Sequence, residues 1–82
     1  MSAKIMIVED DLAVQRSVAA FLESNGYTTV TTGDGAEALR LVAAEKPDLI
    51  LLDVVLPGLN GLEVCQQLRT RTYTPVIMLT GV

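Results

Sequence analysis

Three segments of the chain are unbroken apolar runs: Ile5-Met6-Ile7-Val8, Leu49-Ile50-Leu51-Leu52 and Val76-Ile77-Met78-Leu79. Runs of this length without alternation suit strands covered on both faces, as in the middle of a parallel sheet, although a short buried helix has the same periodicity. Tyr27 to Thr32 is β-branched and aromatic but more polar, as an edge strand would be. Between these runs the apolar spacing lengthens to that of helices. Leu12, Val18 or Ala19, and Leu22 share one face, and Asn25-Gly26 supplies a stop. Ala38, Leu39, Val42 and Ala43 share a face of a second helix, Ala36 to Glu45, which Lys46-Pro47 ends. Asp34 and Glu37 suit its positive end. Leu62, Val64, Cys65 and Leu68 place a third helix over Leu62 to Arg71, after the turn-rich loop Pro57-Gly58-Leu59-Asn60-Gly61. The predicted order is βαβαβαβ, an α/β fold with a parallel sheet, right-handed crossovers and helices on both faces.

Length and composition narrow the function classes. Eighty-two residues make one domain at most, burying only roughly 60% of its unfolded surface. Half the residues are hydrophobic, yet every apolar run is far short of the ~20 residues that span a bilayer. Met1-Ser2-Ala3-Lys4 does not lead into a signal peptide, because the apolar run after it stops at Glu9-Asp10-Asp11. The expected location is cytoplasmic. Ten acidic against six basic residues, a net charge of −4, argue against a nucleic-acid surface in these residues. The single cysteine, Cys65, reads as a small core residue. With no histidine, the usual zinc sets and the Ser-His and Cys-His pairs are excluded. Glu9-Asp10-Asp11 stands in the first strand-to-helix turn, where a nucleotide-binding fold would need a glycine-rich loop.

Parallel strands end at one edge of the sheet. That edge collects Glu9 and Asp10 after the first strand, Asp53 at the end of the third and Thr80 after the fourth. Asp10 or Asp11 also suits the cap of the first helix, and the bland reading of Glu9 and Asp10 is capping alone. Carboxylates that converge without a cation repel one another, so a hard divalent ion is the natural counter-charge. Magnesium fits, since it takes carboxylate oxygens, keeps several waters and leaves room for a phosphoryl oxygen. Asp53 is then a candidate nucleophile toward a phosphoryl group, with Thr80 a candidate hydrogen-bond donor to it.

Val8-Glu9-Asp10-Asp11, the segment Leu51-Leu52-Asp53-Val54-Val55-Leu56-Pro57-Gly58-Leu59-Asn60-Gly61, and Pro75-Val76-Ile77-Met78-Leu79-Thr80-Gly81 together resemble the receiver domain of bacterial two-component response regulators. The resemblance runs over the whole chain, 1–82. It implies a flavodoxin-like three-layer fold with strand order 2-1-3-4 and phosphoryl transfer from a histidine kinase to Asp53. It further implies Mg2+ held by Glu9, Asp10, Asp53 and the main-chain carbonyl of Val55, with Thr80 as the switch hydroxyl. Pro57 and Gly61 match the family's loop and helix-start residues. Such a domain modifies itself and signals by a change in binding, so it is not an ordinary enzyme.

The chain departs from the family at its end. Family members continue through a fourth helix, a fifth strand and a fifth helix, and the fifth strand ends in a lysine that pairs with the phosphoryl group. Neither Lys4 nor Lys46 stands at that position. The expectation is a truncated receiver domain with impaired transfer, one face of its central strands short of cover and its fourth strand an apolar edge. The alternative is a non-signalling half-domain that self-associates as a homo-oligomer, by sheet extension or swapping, or is completed by another chain.

Overall fold

The apolar runs become the strands of one parallel sheet in the computed structural model, which describes residues 2–54 and 60–79. The order along the chain is β1 (Lys4–Val8), α1 (Leu12–Ser24), β2 (Thr28–Thr32), α2 (Gly35–Glu45), β3 (Leu49–Asp53), α3 (Gly61–Arg69) and β4 (Val76–Leu79). The strands lie β2-β1-β3-β4, all parallel. This is the expected three-layer α/β architecture with order 2-1-3-4.

Direction of crossover decides which face each helix covers. The chain moves one way from β1 to β2 and the other way from β2 to β3 and β3 to β4. Right-handed connections therefore put α1 on one face and α2 and α3 on the other. The two faces are filled differently. Met6, Val8, Ile50 and Leu52 pack under Ala38, Leu39 and Val42 of α2 and Val64 and Leu68 of α3 in one buried cluster, with Cys65 packed partly against it. On the α1 face Ile5 and Ile7 are buried. Leu49 and Leu51 are only half-buried there, and Ile77 of the end strand is 50% exposed.

Each helix begins on a side chain that satisfies its free amides. Asp11 accepts from the amides of Ala13 and Val14, so the first helix is capped by Asp11 and not by Asp10. Asp34 accepts from Ala36. Asn60 accepts from the Glu63 amide through Oδ1, and its side-chain Nδ2 donates to the Glu63 carboxylate. The ends are also those expected: α1 stops at Asn25, with Gly26 at φ 90°, and α2 at Lys46 in the left-handed region, φ 48°.

Three expectations about faces are corrected. Leu12 is 57% exposed. Helical Cα–Cβ bonds tilt towards the amino terminus, so the side chain of a helix's first residue projects past its start and not over the sheet. The buried residue of α1 is instead Gln15. In α3, Leu62 is turned outward and Gly61 takes the buried place at the start. In α2, Ala43 is exposed although Ala38, Leu39 and Val42 are buried. Boundaries shift slightly as well, with Tyr27 lying before β2 and α3 ending at Arg69.

Candidate functional site

Register brings the chemistry together. Val8 lies beside both Thr32 and Leu52, and Asp53 lies beside Leu79, so the strands finish at a common edge. Glu9 leaves β1 there and Asp53 ends the adjacent β3. Both are 8% exposed, whereas Asp10 faces solvent. One carboxylate oxygen from each of Glu9, Asp10 and Asp53 lies within 4.8 Å of the others. Three sequence-predicted residues are thus gathered at one point.

The electrostatics follow from that crowding. Burial disfavours the charged form of Glu9, a hydrogen bond shared with Asp53 favours its protonated form, and the charges of Asp53 and Asp10 repel a second anion. Together they raise Glu9 to about 7, against a smaller opposing contribution from the Asp11 backbone amide. Such a group gains most from a positive partner. The donor set is oxygen only, compact and partly open to solvent at Asp10, which suits a hard divalent cation of the magnesium kind.

The main chain around the site is held on several sides. The Glu9 amide donates to the Thr32 carbonyl at 2.9 Å, and the Glu9 carbonyl accepts from Gln15 Nε2 at 3.0 Å. Behind Asp53, the Gly61 amide donates to the Val54 carbonyl at 2.7 Å. A Cβ at Gly61 would fall 2.5 Å from the Asp53 carbonyl oxygen and 2.5 Å from Val54 Cα. No side chain other than hydrogen fits there.

The lysines sit elsewhere. Lys4 is at the opposite, amino-terminal end of β1, where its ammonium bonds the Glu45 carboxylate and carbonyl. Lys46 caps α2. Val55, Pro57 and Thr80 lie outside the described residues. Sequence reasoning passed over Gln15, although a signal existed: residues 15, 18, 19 and 22 fall on one helical stripe, with a polar residue at an apolar position.

Comparison with known proteins agrees with this geometry. The response regulator receiver domain family matches residues 5–82. Response regulator MprA of Mycobacterium ulcerans is 48% identical over 99% of this chain and 35% of its own length. The alkaline phosphatase synthesis transcriptional regulatory protein PhoP of Bacillus subtilis is 47% identical over 99% of this chain and 34% of its own. The chain therefore spans about a third of the length of these curated relatives. Among solved structures, the BeF3-activated N-terminal receiver domain of Klebsiella pneumoniae RstA superposes with a TM-score of 0.92 at 40% identity, covering 96% of this chain and 68% of that one. A Francisella response regulator receiver domain gives 0.93 at 32% identity, over 99% and 68%. Strand order, acidic edge and sequence agree, and the chain belongs to the response regulator receiver domain family.

Proposed function

We propose that this receiver domain accepts a phosphoryl group on Asp53 from a phosphohistidine of a histidine kinase, in a Mg2+-dependent reaction. The observation that carries the reading is the convergence of the Glu9, Asp10 and Asp53 carboxylates at the carboxyl edge of the sheet. Glu9, Asp10 and Asp53 would hold the ion, with the Val55 carbonyl as a further ligand. When bound, Mg2+ supplies the charge compensation that lets an anionic carboxylate meet an anionic phosphoryl group.

The residues of the chain then have distinct tasks. A carboxylate oxygen of Asp53 attacks phosphorus, the new O–P bond forms as the donor's P–N bond breaks, and the imidazole, already protonated on its other nitrogen, leaves as the neutral ring. β3 and the Gly61 contact hold the Asp53 backbone in place. Thr80 is assigned a hydrogen bond to the transferred phosphoryl group by its place after the fourth strand. The product alters what the domain binds, so the domain signals and does not act as an ordinary enzyme. Among the described residues no helix is long and apolar enough to cross a membrane, and we place the reaction in the cytoplasm. Treatment of the phosphorylated protein with borohydride tests the assignment. Reduction of an acyl phosphate at Asp53 leaves homoserine at position 53 in the peptide map, and homoserine at another position would refute the assignment.

A second reading rests on β4. Among the described residues it lies at one side of the four-stranded sheet, and Ile77 is half exposed on it. In this reading the chain self-associates, or another chain completes it, without phosphorylation. A molar mass of one chain by light scattering, with cooperative unfolding, rules it out.

A further inference from the structure

We infer that Gln15 is a positioning residue that aims the Glu9 carboxylate into the acidic site from the opposite side of the β1–α1 turn. The inference rests on the reading of Glu9, Asp10 and Asp53 as the divalent-cation site. Gln15 is the buried residue of α1, on the face that otherwise meets Ile5 and Ile7. A primary amide at an apolar position carries a desolvation cost unless it is hydrogen-bonded. Here the amide reaches back along the helix, and Nε2 donates to the Glu9 carbonyl at 3.0 Å in a buried setting.

The consequence is geometric. Two peptide groups flank the Glu9 Cα. The one on its amino side is tied to β2, through the Glu9 amide and the Thr32 carbonyl at 2.9 Å. The one on its carboxyl side is tied to α1 through Gln15. With both held, the direction of the Glu9 side chain is set before any ion arrives. That matters for a carboxylate 8% exposed and within 4.8 Å of its partners. Supports of this kind behind metal ligands typically change affinity by about 10-fold or more.

Gln15→Met keeps the length and shape of the side chain and removes the donor. Ile50→Val, in the core of the other face, is the control for loss of stability alone. Titration of each protein with Mg2+ by calorimetry should give a dissociation constant about tenfold weaker for Gln15→Met and unchanged for Ile50→Val. In the metal-free proteins the Glu9 amide should exchange its hydrogen faster in Gln15→Met, with the Met6 amide unchanged. Gln15→Asn, whose amide is one methylene too short, should behave like Gln15→Met and serves if that variant does not fold. An unchanged affinity, or an equal loss in the Ile50→Val control, overturns the inference. If the parent protein itself takes up no Mg2+, the cation reading fails. The exchange of the Glu9 amide then decides alone, acceleration supporting the hold on Glu9 and its absence overturning it.

Discussion

The Gly61 amide donates to the Val54 carbonyl at 2.7 Å, and the helix start that carries it lies so close to β3 that a Cβ at Gly61 would sit 2.5 Å from the Asp53 carbonyl oxygen. Backbone cannot yield as a flexible side-chain tip does. Gly61→Ala should therefore cost about 1–3 kcal/mol, read as a fall in melting temperature of about 4–8 °C per kcal/mol for a domain of this size. The same change should displace Asp53 and slow its phosphorylation. An alanine variant with parental stability and parental phosphorylation would show that the contact is not needed.

The Glu9 carboxyl gives the site a pH dependence of definite sign. Its value is raised from 4.5 to about 7 in the folded protein, so between those values the folded state binds more protons than the unfolded state. Stability then falls as pH rises through that window. Without divalent ions the melting temperature should decline between pH 4.5 and 7, and Glu9→Gln should remove that decline. Mg2+ competes with the same proton, so its affinity should weaken as pH drops below about 7. A melting curve that rises across this range in the parent protein would contradict the assignment.

Asp10 and Asp11 are neighbours with separable tasks. Asp11 accepts from the Ala13 and Val14 amides at 2.9 and 3.3 Å, so Asp11→Ala should cost about 0.5–2 kcal/mol while leaving Mg2+ affinity near the parental value. Asp10→Ala should do the reverse, with stability not lowered in the ion-free protein and Mg2+ affinity lost. Thermal melts and calorimetric titration of the two variants check the division.

Removing a charge from the acidic group should stabilise the ion-free protein, since sites of this kind are held together against repulsion. Asp53→Asn keeps the shape of the side chain and can still hydrogen-bond Glu9. At pH 8 without Mg2+ it should gain about 0.5–2 kcal/mol, and added Mg2+ should raise its melting temperature less than it raises that of the parent. A destabilised variant would mean that the buried Asp53 contributes structure and not strain.

Much of this architecture was legible in the chain because the strong signals are one-dimensional. Unbroken apolar runs marked Ile5-Val8, Leu49-Leu52 and Val76-Leu79 as strands, and parallel pairing alone then placed Glu9, Asp10 and Asp53 at one edge. Strand order came from family resemblance, because run length does not say which strands are neighbours. The helix faces were less legible. Leu12 and Leu62 fit the apolar spacing but stand within the first two residues of their helices, where the side chain overhangs the start. Gln15 fits the buried stripe but is polar, and only its partner, the Glu9 carbonyl, explains its place. The closeness of Gly61 to Asp53 depends on where a loop returns in space, which no spacing rule encodes.

The most direct measurement is the intact mass of the protein after incubation with acetyl phosphate and Mg2+, beside the same reaction with a chelator and with Asp53→Asn. A gain of one phosphoryl group that needs Mg2+ and is absent from the variant is the result predicted. No gain in the parent protein, or an equal gain in Asp53→Asn, would contradict the claim that the acidic edge is a magnesium-dependent phosphoacceptor.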